Sequence, residues 1–343
     1  MILAQITIGK TGLTVEQNGF GALPIQRISK NEAVYLLRKA YDGGMNFYDS
    51  SRSYTDSEEK LGEAFSGMWD KVIIATKTHA KNADSFWRDL ETSLHTLNTD
   101  HIDIYQFHNP SFCPKPGEEN GLYEAILKAQ RQGKIRFIGI SNHRLNVAMD
   151  AIESGLYDTL QFPFSYLSSE KDLELVKVCG ERKVGFIAMK ALAGGLISSA
   201  ATACAWLNRF DNVLPIWGIQ RENELDDFLA CIRTPPVLTD EMAASIEADR
   251  NELLGDFCRG CGYCMPCPQG IVINMCARAS LLLKRAPLTK IISDNGKEMM
   301  KKVEECTECG QCSTKCPYNL DTPALLKKNY QDYLKVLATV QQD

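Results

Sequence analysis

The chain reads as an α/β protein, a (β/α)8 TIM barrel followed by a small cysteine-rich domain. Three observations predict this. From the start to about Arg233, short β-branched or apolar runs alternate with amphipathic helical stretches, the rhythm of βα units on a parallel sheet. Eight such units fall within about 250 residues, the usual size of a TIM barrel, whereas an open doubly wound sheet commonly has fewer strands and a glycine-rich first turn, and no GxGxxG occurs here. After Pro235 and Pro236 the rhythm stops, and two tight cysteine runs follow.

The strand candidates, in order, are GFGALPI, NFYDS, KVIIATK, HIDIYQFH, IRFIGISN, TLQFPF, VGFIAMK and NVLPIWG. Between them lie helical stretches such as NEAVYLLRKAYDGG, DSEEKLGEAFSG and GLYEAILKAQRQGK. Asp56 with Glu59 three residues later reads as an N-cap and capping box, and Gly43, Gly133 and Gly155 stand where helices should stop. TIGKTGLTV, ahead of the first strand, predicts a hairpin across the barrel bottom. The expected division is a barrel over 1–235, then over 236–343 a helical linker through DEMAASIEADRNELL, the cysteine-rich domain and a C-terminal helix.

Composition narrows the function. The chain has 343 residues, 44% hydrophobic and 24% charged, with a formal net charge of -5 and no lysine or arginine block. That gives no electrostatic footprint for nucleic acid or an acidic membrane surface, and small-molecule chemistry becomes the expectation. The opening MILAQITIGKTG has no charged leader, and no apolar run approaches bilayer length, so neither a signal peptide nor a membrane span is expected. Thirteen cysteines concentrated in two runs of a long chain point to metal in a reducing compartment, the cytoplasm, rather than to disulfides.

In a TIM barrel the residues that follow each strand converge on one pocket. Here Asp49 follows NFY, Lys77 follows VIIAT, His108 follows DIYQF, Ser141 and Asn142 follow RFIGI, Gln161 follows DTL, and Tyr54 lies in a loop before a helix. Singly, a strand-end lysine is a solvated charge, a lone histidine a structural residue and a loop tyrosine an ordinary aromatic. Together they make a proton-transfer apparatus. A tyrosine hydroxyl, ordinarily of pKa about 10, becomes a usable acid beside an ammonium such as Lys77. Asp49 would hold Lys77 through a charge-assisted bond, and His108 would orient a substrate carbonyl.

The second cysteine run, CTECGQCSTKCP, has the CxxCxxCxxxCP spacing of a bacterial-type [4Fe-4S] ferredoxin half; the first, CRGCGYCMPCP, has one residue fewer before its last cysteine. The fourth cysteine of each run in two-cluster ferredoxins ligates the other cluster. Cys258, Cys261, Cys264 and Cys316 are therefore assigned to one cluster, and Cys306, Cys309, Cys312 and Cys267 to the other, with Cys276 as a substitute for Cys267. This predicts a ferredoxin-like α+β iron-sulfur domain. Zinc is the alternative, since paired CxxC motifs also supply four thiolates. Cys113, Cys179, Cys204 and Cys231 read as small core residues.

NFYDSSRSYTDSEEKLGEAF, VIIATKTHA, IDIYQFHNP, IGISNH and LQFPFSYL resemble successive signatures of the aldo/keto reductase superfamily. The resemblance implies that Asp49, Tyr54, Lys77 and His108 are the catalytic tetrad, with Tyr54 as general acid acting on a carbonyl or alcohol substrate. It implies that Ser141, Asn142 and Gln161 bind the nicotinamide carboxamide of NAD or NADP, and that VLPIWGIQRENEL grips the cofactor phosphate. Met189, followed by Lys190, stands where many members stack an aromatic on the nicotinamide. Gly218 and Glu224 stand where many have a cation for the 2′-phosphate; Arg221 is nearby, and an acidic group there suits a free ribose hydroxyl. With the cysteine runs and their MPCP sequence, the chain resembles a subgroup of the family with a fused ferredoxin-type domain.

Three functions follow from these parts. The first is a nicotinamide-dependent oxidoreductase whose clusters exchange electrons with an external carrier. The second is a reductase with structural clusters, and the third a redox-sensing or electron-carrying protein that uses the barrel as a platform. Pocket walls are expected from NPSFCPKPGEEN, with Lys115 and Trp217 as candidate lining residues.

Overall fold

A computed structural model describes residues 5–253, 257–285 and 292–340. The chain forms two compact units, Met1–Ala191 with Ser199–Ala244, and Leu192–Ser198 with Ser245–Asp343.

In the first unit, eight parallel strands close into a barrel: β3 (Gly19–Gly21), β4 (Phe47–Asp49), β5 (Ile73–Thr78), β6 (Ile102–His108), β7 (Ile135–Ser141), β8 (Thr159–Pro163), β9 (Gly185–Met189) and β10 (Val213–Gly218), which returns to β3. The helices α1 (Lys30–Asp42), α2 (Ser57–Ala64), α3 (Ala83–Leu97), α4 (Leu122–Arg131), α5 (Leu145–Ser154), α6 (Glu170–Glu181), α7 (Ala200–Leu207) and α8 (Glu222–Arg233) alternate with them. The eight strands match the eight apolar runs of the sequence. Ser29, Asn82 and Ser169 cap α1, α3 and α6 with reciprocal bonds to the third residue of each helix.

A short antiparallel hairpin, β1 (Gln5–Thr7) and β2 (Thr14–Glu16), precedes the barrel. Its Ile6, Ile8, Leu13 and Val15 cluster with Phe47, Ala75, Ile104, Ile187, Leu214 and Ile216, apolar residues from the N-terminal and middle positions of barrel strands. The hairpin thus plugs the end opposite the strand C-termini, as TIGKTGLTV predicts. Two residues further along their strands, Asp49, Lys77, Gln106 and then His108 continue the same inward rows. Space inside is tight: a Cβ at Gly139 would strike Thr159 Oγ1 and the Gln106 side chain, so glycine there is what lets Gln106 reach across.

Two details differ from expectation. Asp56 precedes α2 but makes no side-chain cap; its carboxylate pairs with Lys60 at 2.8 Å, and Glu59 pairs with Lys30, so i,i+4 charge pairing and a neighbouring helix win over the capping box. Trp217 is no pocket residue. It is buried, stacked on Phe228 with ring centroids 4.3 Å apart, and donates from Nε1 to Asn18 Oδ1 at 2.9 Å.

The helix α9 (Asp240–Glu252) carries the division between the units; Leu254, the last residue of the expected linker helix, lies outside the described residues. The second unit contains α10 (Ile273–Cys276), α11 (Ala279–Arg285), α12 (Asp294–Lys301), α13 (Gln311–Thr314) and α14 (Thr322–Val340). Among its described residues there is no strand, so the expected α+β character gives way to helices and loops. Runs of four closely spaced cysteines with glycines between them leave little β-forming sequence. Its core gathers Ile271, Ile273, Ala277, Met300, Leu326 and Tyr333 around the cysteine loops. No helix among the described residues is long and apolar enough to cross a membrane.

The barrel floor holds a titratable group. Glu16 is buried, one carboxylate oxygen has no partner, and burial raises its pKa from 4.5 to about 7 against the opposing bond from Asn18. The native chain keeps a proton that the unfolded chain has released, so stability falls as pH rises through that window and the penalty is complete above it. Glu16→Gln, which still accepts from Asn18, is expected to stabilise the protein by about 1–2 kcal/mol at pH about 8 and by almost nothing near pH 4.5. Thermal denaturation at the two pH values measures this; equal effects at both would contradict it.

Candidate functional site

At the C-terminal ends of β4, β5 and β6, Lys77 Nζ donates to Asp49 Oδ2 at 2.8 Å and to the Ser50 carbonyl at 2.5 Å, with both charged side chains buried. The loop from β4 to α2 folds back over them: Arg52 N donates to the Lys77 carbonyl at 2.9 Å and Tyr54 N to the Ser51 carbonyl at 2.9 Å. Buried Glu58 braces this loop by pairing with Arg52 and accepting from Thr76 Oγ1 and Ser93 Oγ at 2.7 and 2.8 Å. Lys77 Nζ lies 5.3 Å from the centroid of the half-buried Tyr54 ring, and Tyr54 meets His108 edge-on at 5.9 Å. Asp49, Tyr54, Lys77 and His108 are therefore brought together.

Three partners in this cluster were not among the expected residues. Ser51 Oγ bonds His108 Nδ1 at 2.9 Å, leaving Nε2 as the ring nitrogen for a ligand. His79 stacks on His108 at 4.0 Å. Gln106 Nε2 donates to Gln161 Oε1 at 2.8 Å, and Gln161 Nε2 donates to Asp49 Oδ2 at 3.2 Å, which ties Asp49 to the far wall of the barrel. Each had a signal in the sequence: Ser51 and His79 sit just past strand ends, and Gln106 is a polar residue two positions before His108 on the inward row.

Burial dominates the electrostatics. It pushes the Asp49 carboxyl up and the Lys77 ammonium down, each opposed by the ion pair between them. It holds His108 well below the usual imidazole value, and the nearby Lys77, His79 and His143 push in the same direction. His108 is thus a neutral ring at physiological pH, suited to hydrogen bonding rather than to carrying charge.

The expected cofactor contacts divide. Ser141 Oγ is buried with one 3.4 Å approach to the Phe107 carbonyl. Asn142 is committed internally: its amide donates to the Pro110 carbonyl at 2.8 Å and accepts from His143 N and Arg144 N. Met189 ends β9, and Lys190 follows in the left-handed region at φ 55. Gly218 ends β10, exposed, with Pro24 against it. Glu224 Oε2 accepts from Gln220 N and Arg221 N at 3.0 and 3.1 Å, and its other oxygen pairs with Arg221 Nη1 at 3.2 Å. Lys115 pairs with Asp150 at 2.6 Å on the surface.

In the second unit the cysteines line two cavities. One is bordered by Cys258, Cys261, Cys264 and Cys316, the other by Cys267, Cys306, Cys309 and Cys312, with Cys264 on the wall between. Cys276 borders neither and donates to the Met299 carbonyl at 3.6 Å. Among the described residues no three His, Cys, Asp or Glu converge as ligands of one metal ion. Four cysteines around each cavity are the donor set of a [4Fe-4S] cluster, and zinc takes four thiolates as well.

The pattern of the aldo/keto reductase family matches residues 15–203, over half of the chain, and that of a 4Fe-4S dicluster domain matches residues 257–321. The chain belongs to the aldo/keto reductase family and carries a 4Fe-4S dicluster domain at its C-terminal end. It is 29% identical over 210 residues to L-galactose dehydrogenase of Arabidopsis thaliana, covering 56% of this chain and 66% of that enzyme, just under two thirds of its length. It is 28% identical over 280 residues to the uncharacterized oxidoreductase YrpG of Bacillus subtilis, covering 68% of this chain and 84% of that protein. Among solved structures, aldo-keto reductase AKR11C1 from Bacillus halodurans has a TM-score of 0.64 at 20% identity over 72% of this chain and 96% of that one. An aldo-keto reductase from Klebsiella pneumoniae in complex with NADPH has a TM-score of 0.61 at 23% identity over 72% of this chain and 95% of that one. These two share the barrel fold.

The burial of His108 has a measurable consequence. The unfolded chain takes up this proton near pH 6.5 while the native chain refuses it, so this part of stability is present above that pH and is lost as pH falls below it. Nitrogen-15 NMR is expected to find the His108 ring neutral from pH about 8 down to about 5.5. A titration midpoint near the ordinary value would contradict it.

Proposed function

We propose that the barrel reduces a small carbonyl compound, or oxidises the corresponding alcohol, with NAD(P) as hydride partner and Tyr54 as the proton donor. The observation that carries this reading is the buried Lys77–Asp49 ion pair beneath the Tyr54 ring, with neutral His108 at its edge. A positive charge beside the ring favours the phenolate that proton donation leaves behind, and so eases transfer of the Tyr54 proton to a developing alkoxide. Asp49 fixes Lys77 in place. With Ser51 on Nδ1, His108 presents Nε2 to orient the substrate oxygen.

The bound nicotinamide supplies or accepts the hydride. Ser141 Oγ and the second lone pair of Gln161 Oε1 are suited to its carboxamide, whereas Asn142 contributes by fixing the loop after β7. Met189 and Lys190 border the face where the ring would lie, and Gly218, Arg221 and Glu224 the adenosine end. A carboxylate already occupying the Gln220 and Arg221 amides just ahead of α8 opposes a 2′-phosphate and favours an unphosphorylated ribose, which supports NAD over NADP.

Two [4Fe-4S] clusters are proposed for the second unit, one held by Cys258, Cys261, Cys264 and Cys316, the other by Cys267, Cys306, Cys309 and Cys312. The two cavities support this division. A nicotinamide moves two electrons as hydride and each cluster ordinarily moves one, so the clusters exchange electrons with an external carrier rather than with the nicotinamide directly. Such thiolate chemistry fits a reducing cytoplasm.

Tyr54→Phe is expected to lower NADH-dependent reduction of a panel of aldehydes and ketones by about 10²–10⁴-fold while leaving the fold and iron content intact. Unchanged turnover would overturn the assignment of Tyr54. Anaerobically purified protein should contain about eight irons per chain. Stoichiometric zinc without iron would refute the cluster reading. KM should be lower for NADH than for NADPH, and Glu224→Gln should narrow that gap; a preference for NADPH in the unaltered protein would reverse the argument from Glu224.

A further inference from the structure

Arg278 lies between α10 and α11, and its side chain is buried at 5% exposure. Nη2 donates to the Gly194 carbonyl at 2.7 Å, while Nε is buried without a partner. Among the described residues no carboxylate pairs with it. A guanidinium at that depth is costly without a counter-charge.

Its surroundings are built to admit it. Gly194 and Gly260 both adopt the left-handed region, at φ +68 and +65. A Cβ on Gly194 would come within 2.9 Å of Arg278 Nη1, and one on Gly260 would collide with the same atom. Gly260 belongs to the loop of Cys258 and Cys261, and its amide donates to Cys258 Sγ at 3.4 Å. Arg278 thus rests against the backbone of that cysteine loop. Half-buried Arg259, over the Phe257 ring, lines the cavity of Cys258, Cys261, Cys264 and Cys316, and Arg278 lies behind its loop; the cavity of Cys267, Cys306, Cys309 and Cys312 has no cationic residue among its lining, and Glu305 and Glu308 immediately precede two of its cysteines.

We propose that Arg278 is a buried, fixed counter-charge of the cluster held by Cys258, Cys261, Cys264 and Cys316, beside the more exposed Arg259, and that it raises the reduction potential of that cluster alone. The inference rests on the two-cluster reading above. Reduction of a thiolate-ligated cluster adds one electron to an already anionic group, so a buried cation beside it stabilises the reduced form more than the oxidised form. The nearby Gly194 carbonyl orients the guanidinium without neutralising it. Arg278 is therefore a positioning and tuning residue, acting through the cluster rather than on substrate.

The test is an anaerobic potentiometric titration of the full chain with dithionite, followed by low-temperature EPR, for the unaltered protein, Arg278→Gln and Arg278→Lys. Glutamine keeps a donor for the Gly194 carbonyl and removes the charge. In Arg278→Gln, with iron retained, one couple should fall by about 59 mV or more, a tenfold change in its one-electron reduction equilibrium, while the other stays in place. Arg278→Lys should move the same couple by less. Couples that stay put, or that both move equally, overturn the proposal. Should Arg278→Gln lose iron, Arg278→Met, which also removes the charge but keeps an unbranched side chain in the same space, decides by the same criteria. Absence of iron from the unaltered protein would instead remove the cluster reading itself, which the iron assay detects separately.

Discussion

Burying Lys77 against Asp49 at 2.8 Å inside the mouth of the barrel is unfavourable for each charge alone, and much of the surrounding structure exists to make the pair tolerable. The Ser50 carbonyl takes a second ammonium proton, Gln161 donates to the carboxylate, and Gln106 holds Gln161. The loop from β4 to α2 is pinned by Arg52 and Glu58 so that Tyr54 stays over the ammonium. Losing one member of the pair would leave the other charged in a dry interior. Stability and the proposed proton transfer thus depend on the same contact.

Much of the barrel was legible because its rules are periodic. Eight apolar runs became eight strands, and the two-residue alternation along each carried Asp49, Lys77 and His108 to one end. Choices among competing local partners were less legible. Asp56 could bond its helix terminus or Lys60, and the ion pair prevailed. Trp217 has a polar tip that suits a pocket, yet Asn18 lies within reach behind the barrel wall. Asn142 could face a ligand or its own loop, and two following amides with the Pro110 carbonyl occupy it. Such outcomes depend on residues distant in sequence, which spacing does not encode.

In the second unit, cysteine spacing was more informative than secondary-structure propensity. The two cavities group Cys316 with the first run and Cys267 with the second. The helical character of the unit and the burial of Arg278 were not readable. A lone arginine in an ordinary helical stretch gives no sign that Gly194, far away in sequence, leaves room for it.

The hairpin beneath the barrel also shapes traffic through it. With Ile6, Ile8, Leu13 and Val15 packed against Phe47, Ala75, Ile104 and Leu214, that end of the barrel is closed. Anything that reaches Asp49 must arrive and depart by the same rim. Exchange with solvent is therefore one-sided, and the packing that makes it so lies at the far end from Asp49 and Lys77.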